Sequence, residues 1–153
     1  MSTTLTGFGI EVDVPRGWDV EIYQREDEAP DEGTLNAMVH AANFALPPDR
    51  GDYGSGAYEQ MDAGGVMVVL FEFDRASAST NLFASSPRPT SVSADDFDPA
   101  CLQRPMPGRS GMQIFFRDEG RAFCLYVMLG SHRRRRALVG EVNDFLGRLH
   151  IAP

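Results

Sequence analysis

The sequence predicts an α/β fold of the mixed α+β kind, a three-layer α/β/α sandwich on a mainly antiparallel sheet. Three observations carry this expectation. Between Phe8 and Ile22 apolar and polar residues alternate, break at Pro15-Arg16-Gly17 and alternate again, which is the two-residue period of strands with one wet face. Residues 66–73 and 122–129 are apolar at both parities, so each reads as a central strand covered on both sides. Near the end of the chain Leu138, Val142, Phe145 and Leu149 recur at helical spacing, which supplies a helix for one of those sides.

The elements follow in order. Residues 8–14 and 18–22 read as the arms of a β-hairpin, with Phe8, Ile10, Val12, Val14, Trp18, Val20 and Ile22 on the buried side and Glu11, Asp13, Asp19 and Glu21 in water. Residues 26–32, Glu-Asp-Glu-Ala-Pro-Asp-Glu, repel one another around a proline and read as an exposed, mobile loop. Residues 38–44 form a third strand that ends before Pro47-Pro48, and Gly51, Gly54 and Gly56 make the next segment a loop. A short helix at 57–61 is broken by Gly64-Gly65 before the strand at 66–73. Further short helices at 76–84 and around Ser93, where Ser93 and Asp96 have the spacing of a capping pair, are expected to cover the second side of the sheet. The interval 83–111, rich in Ser and Pro, is too long for an empty loop in a compact domain, so it packs or binds something. Residues 111–117, with Met112, Ile114 and Phe116 in alternation, turn at Asp118-Glu119-Gly120-Arg121 into the strand at 122–129, an antiparallel hairpin. Ser131 is the expected N-cap of the closing helix, whose stripe Val139 and Leu146 widen.

Composition bounds the rest. With 153 residues and 42% hydrophobic content, the chain fills one core, so residues 1–153 are read as one domain. There is no lysine, which excludes Schiff-base chemistry and a lysine-dependent P-loop. A net charge of −8 opposes binding to nucleic acid or to an anionic membrane surface. Met1 to Gly7 lacks the basic region and apolar core of a secretory signal, and no apolar run is long enough to span a bilayer, so a cytoplasmic location is expected. Cys101 and Cys124 are then read as small packed thiols rather than a disulfide.

The opening strand, the Val14-Pro15-Arg16-Gly17-Trp18 turn, the third strand leading to Asn43-Phe44 and the hairpin feeding a terminal helix resemble the PsbP-like superfamily, which includes the extrinsic photosystem II protein and the Ran guanine-nucleotide release factor. The resemblance covers most of the chain. It implies a non-enzymatic domain that docks on another protein, as in bacterial members that act as chaperones for secreted effectors. The cofactor and photosystem contacts of the plant protein lie in segments without a match here, so no family site residue is carried over.

Candidate chemistry is sparse. His40, His132 and His150 are scattered, with no carboxylate or cysteine at ligand spacing, so neither a metal nor another cofactor is expected. Ser131 beside His132 lacks any nucleophile elbow, and 51–56 lacks the third glycine and the acid of a dinucleotide site. Arg133-Arg134-Arg135-Arg136 occupies the start of the closing helix, where the positive end of the dipole disfavours each cation by about 0.3–1 kcal/mol. Either Asp118, Glu119 or the acidic loop compensates, or the arginines dock an acidic partner. Gly140, Asn143 and Gly147 form a strip of low relief on that helix. The leading expectation is therefore a non-enzymatic, bacterial-type protein-binding domain, adaptor-like, chaperone-like or regulatory, with Arg133, Arg136, Gly140 and Asn143 as partner-binding residues; a second copy of the chain is an admissible partner. The alternative is a small-ligand carrier or enzyme with a cleft between the 51–56 loop and the 83–110 segment, offering Tyr53, Tyr58 and Arg104.

Overall fold

The computed structural model describes residues 3–25, 34–84 and 87–152; the acidic run 26–32 lies outside them. The chain builds two antiparallel sheets. The smaller has the order β1 (Thr3–Gly7), β2 (Ile10–Val14), β8 (Leu149–Ile151). The larger runs β3 (Asp19–Gln24), β4 (Ala37–Ala42), β5 (Val66–Phe73), β7 (Arg121–Leu129), β6 (Ser110–Asp118). Helices are few: α1 (Asn81–Ala84) is a single turn, and α2 (Arg135–Leu146) is the one long helix among the described residues. The fold is thus α+β. No helix among the described residues is long and apolar enough to cross a membrane.

Pairing in the N-terminal region departs from the sequence expectation. The two alternating arms do not pair with each other, because β2 pairs with β1 and β8 while β3 pairs with β4. The Pro15-Arg16-Gly17-Trp18 turn, closed by Trp18 N–H donating to the Pro15 carbonyl at 3.1 Å, carries the chain from one sheet to the other. The hairpin is instead β1–β2, joined by Phe8-Gly9 with φ of 51° and 75°. Positive φ at both central residues is what a two-residue turn matching strand twist requires. Phe8 therefore sits in the turn, 37% exposed, not on the buried face.

The larger sheet behaves as its composition demands, since nearly every residue of β4, β5 and β7 is buried. The β6–β7 hairpin pairs in continuous register from Ser110↔Leu129 to Asp118↔Arg121, turning at Glu119-Gly120. On one face Val68, Leu70, Phe123, Leu125 and Val127 meet Leu138, Val142, Phe145 and Leu146 of α2 together with Ile10, Val12 and Leu149 of the smaller sheet. Leu149, expected as the last residue of the helical stripe, belongs to β8: the helix ends at Gly147, and Leu149 pairs with Val12. Trp18 stacks on Phe145 at 5.2 Å and 7° between planes, so the turn after β2 is pinned to the helix.

The opposite face carries 3-10 turns, loops and α1 rather than a layer of long helices. The turn Tyr58–Gln60 covers Met38, Met67 and Met128, and Phe83 of α1 covers Phe73, Phe115 and Ala122. The interval before β6 packs: Val92 and Phe97 join the α2 side, Leu102 the other, and Asp98 bridges to Gly111. The expected capping pair is present, Ser93 accepting from Asp95 N and Asp96 accepting from Ser93 N at 2.8 Å. Of the two thiols, Cys124 is packed as expected but Cys101 is exposed at the end of the turn Pro99–Cys101.

One ion pair is wholly buried. Arg121 and Glu72 both have no exposed surface, and they meet through Nε–Oε2 at 2.9 Å and Nη2–Oε1 at 3.0 Å. The remaining N–H groups of Arg121 donate to the carbonyls of Phe8 (2.9 Å), Gly9 (3.2 Å) and Ala152 (2.9 Å). A guanidinium has five donors, and all are used. Glu72 also accepts from Ala37 N at 3.0 Å. A side chain on residue 9 would start 2.4 Å from Arg121 Nη1, so only glycine admits the cation here.

Arg121→Met is expected to cost about 3–5 kcal/mol by leaving Glu72 charged and unpaired, while Arg121→Met with Glu72→Leu recovers most of that loss. Urea midpoints of the two variants check this; equal midpoints for single and double variants contradict it. Trp18→Ala is expected to cost about 3 kcal/mol, the low end of the range for a large core aromatic because Trp18 is only half-buried. An unchanged midpoint contradicts that reading.

Candidate binding cleft

The loop between β4 and β5 is built by glycine at two positions. Gly54 and Gly56 both take φ of 93°, and a side chain at Gly56 would start 2.6 Å from the Asp49 carbonyl. These left-handed residues fold residues 51–56 back over the sheet, with Gly51 N bonded to Ser55 O at 2.9 Å. Arg109, just before β6, locks the turn that follows: its guanidinium donates to the carbonyls of Tyr58, Glu59 and Met61, and rests 5.0 Å over the Tyr58 ring. The orphan carbonyls of a short turn are thereby satisfied.

Between this loop and the 103–104 stretch lies an open cleft of about 340 Å³, walled by Tyr53, Tyr58 and Tyr126 and bearing Asp52, Glu59 and Arg104. The structure thus brings together Tyr53, Tyr58 and Arg104, the three residues named for the alternative cleft. Tyr53 stacks on Phe71 at 4.8 Å and meets Tyr126 edge-on at 6.2 Å and 70°. Tyr126 Oη accepts from Gln103 N at 2.8 Å. Tyr58, 3% exposed, has a hydroxyl with no hydrogen-bond partner among the described residues. Burial pushes the Tyr53 phenol up to about 12 and raises those of Tyr58 and Tyr126 as well.

Behind the loop sits a polar network that sequence spacing did not reveal. His40 on β4 is fully buried; Arg50 Nε donates to its Nδ1 at 3.0 Å, and its Nε2 lies 2.8 Å from the Asp52 carbonyl. Nδ1 is therefore the acceptor and Nε2 carries the proton. Tyr23 Oη, 3.3 Å from the same Nε2, donates to Asp52 Oδ1 at 2.8 Å, and Arg50 also pairs with Glu21. A carboxylate thus lies one hydroxyl away from His40. Burial lowers the His40 pKa, and burial followed by the Asp52 contact raises that of Tyr23. The network anchors the loop to β3 and β4. All four tyrosines of the chain, at positions 23, 53, 58 and 126, either wall the cleft or hold its loop.

The arginine turn differs from expectation in three respects. The helix begins at Arg135, not after Ser131, because Ser131 Oγ accepts from Arg134 N at 3.3 Å and closes a separate turn ahead of it. Arg133 therefore precedes the helix and shares no helical face with Arg136. Asp118 pairs with Arg88 at 3.1 Å instead of with this cluster. Arg133, Arg134 and Arg136 are exposed and make no ion pair among the described residues. Arg135 donates to the His132 carbonyl at 3.0 Å.

Asn143, expected on a partner-binding strip, is turned to the chain's own backbone, accepting from Val92 N at 2.7 Å and donating to Val92 O at 3.0 Å. Gly140 is exposed, with nothing within 4 Å of where a side chain would begin, and lines a shallow groove with Trp18 and Arg16. No group of three or more His, Cys, Asp and Glu residues able to hold a metal ion occurs among the described residues. Comparison with known protein families, with curated proteins and with solved structures gives no match.

The His40 network sets a pH dependence. Its folded pKa lies below the ordinary 6.5, so on acidification the unfolded chain takes up the proton first and stability falls as pH drops below about 6.5. Protonation would also set a second N–H against Arg50 Nε. His40→Gln is expected to lower stability at neutral pH but to flatten its decline between pH 7 and 5, read as melting temperature against pH. Parallel profiles for the two proteins contradict this assignment.

Proposed function

We propose that the chain is a non-enzymatic protein-binding domain, adaptor-like or chaperone-like, whose partner docks in the tyrosine-walled cleft. The proposal includes a PsbP-like α/β/α arrangement in which the second helical layer is reduced to 3-10 turns and α1. The observation that carries the reading is the convergence of all four tyrosines on one loop. Tyrosine presents a large apolar ring and a polar tip at low conformational cost, which is why it is favoured where a protein must recognise another.

Binding is favoured over proton transfer by the phenols or by His40. The phenols are shifted upward, and His40 lies behind the wall with both ring nitrogens engaged. A second reading, capture of an acidic segment at the arginine turn, is favoured by Arg133, Arg134 and Arg136, which are exposed, make no ion pair among the described residues and lie at or just before the positive end of α2.

Comparative capture from native lysate separates the two. Tyr53→Ala is expected to lower retention of the partner at least about fivefold, while Arg133→Glu with Arg136→Glu leaves it within about twofold, each variant melting like the wild type. The reverse pattern transfers docking to the arginine turn. Retention unaffected by either variant refutes both.

A further inference from the structure

We propose that the outer edge of β1 is a docking edge for a second copy of the chain: two copies pair their first strands antiparallel about a two-fold axis and join their smaller sheets into one. The register decides which groups are available. Asp13 N–H donates to the Arg148 carbonyl at 3.0 Å and Ala152 N–H to the Gly9 carbonyl at 2.8 Å, so Gly9, Glu11 and Asp13 present their main chain to β8. Ile10, Val12 and Val14 then present theirs to β1, where they face Gly7, Leu5 and Thr3. The main chain of Thr4 and Thr6 is left pointing outward. Both residues are exposed, and no bond reaches those N–H and C=O groups among the described residues.

Charged side chains, shortness and cover are the means by which strand edges avoid pairing. The other edges have them: Asp19 and Glu21 on β3, Arg117 and Asp118 on β6 together with the bridge from Asp98 to Gly111, and on β8 a length of three residues with the Leu149 carbonyl taken by Arg88. β1 has none. It reads Thr-Thr-Leu-Thr-Gly, rich in a β-branched residue suited to strands, and the first charged side chain of the sequence is Glu11.

The edge is complementary to itself, which selects a second copy as the occupant. About a two-fold axis at Leu5, Thr4 of one copy faces Thr6 of the other, and every outward N–H meets an outward C=O. Leu5 then lies directly opposite its counterpart, in the kind of pair where side chains come closest. It shares a face with the fully buried Val12, yet it is only half-buried and lies outside the apolar core. The counterpart leucine covers it. Charge permits the approach: two copies at −8 repel, but Glu11 and Asp13 on β2 are held from their counterparts by three strand spacings, roughly 14 Å, beyond the screening length of about 8 Å at physiological salt.

Sedimentation equilibrium of the full chain tests this. The mean mass is expected to rise from near that of one chain at about 10 μM toward that of two at about 1 mM, and association to tighten at least about threefold between about 10 and 150 mM salt as repulsion is screened. Thr4→Lys with Thr6→Lys places each new ammonium across from an acid of its own hairpin, Asp13 or Glu11, but opposes like charges between copies. This double variant is expected to associate at least about tenfold more weakly, with the wild-type melting temperature at about 10 μM. Isotope-filtered NMR of the wild type at about 1 mM is expected to show methyl contacts between Leu5 of labelled and unlabelled copies, and it decides the matter if the double variant melts early. A monomer at every concentration, a mass beyond two chains, undiminished association of a stably folded double variant, or absence of the Leu5 contact overturns the proposal. A monomeric wild type whose double variant loses capture from lysate overturns it too, and assigns the edge to a strand of another protein. Tyr53→Ala, in the cleft of the other sheet, is expected to leave the dimer unchanged, so this proposal and the cleft reading fail separately.

Discussion

The buried pairing of Arg121 with Glu72 is the constraint on which the two sheets depend. Taking both charges out of water is costly, and the cost is offset only because every donor of the guanidinium finds an acceptor. Those acceptors come from β5, from the β1–β2 turn and from the residue after β8, so one side chain fixes the smaller sheet against the larger. It also explains a strained turn. Phe8 holds a positive φ that an aromatic residue seldom adopts, and its carbonyl is one of the groups the cation requires. Lysine, with three donors, could not replace it.

The two faces of the larger sheet divide the labour. On one side α2 and the smaller sheet close an apolar core in which Trp18 and Phe145 are stacked. On the other, cover is piecemeal, made from 3-10 turns held by polar latches: Arg109 on the backbone carbonyls of 58–61, and Arg50, His40 and Tyr23 around Asp52. A loop held by a few hydrogen bonds leaves hollows that a long helix would fill. The cleft is a consequence of that construction.

Local pattern carried much of the fold. The strand at 66–73 and the β6–β7 hairpin were legible because apolar content at both parities and an Asp-Glu-Gly turn leave few alternatives. The stripe Leu138, Val142, Phe145 located α2, but Leu149 also falls on helical spacing, and periodicity cannot show that the helix stops at Gly147 and that β2 accepts a third strand. The Phe8-Gly9 turn was invisible for a related reason, since its stabilising partner is Arg121, far away in sequence. In the cleft, Tyr53, Tyr58 and Arg104 were readable from a glycine-rich loop facing an unassigned segment. Tyr126, buried in the middle of an apolar strand, was not: only the β5–β7–β6 register brings it beneath the loop. The scarcity of tyrosine, four in the chain, was the available signal.

The joining of β8 to β2 bears on how the protein is made. Synthesis delivers Ile10 and Val12 early, yet β2 gains its second neighbour only when residues 149–151 have emerged, and the Arg121 cage closes only with Ala152. Until then the nascent chain carries an open strand edge beside apolar side chains and a turn whose carbonyls await their cation. Such intermediates are vulnerable to wrong strand pairing and to aggregation. Residues 149–152 therefore decide whether the first sheet survives, and a lesion that removes or alters them would act on strands built from residues 3–14.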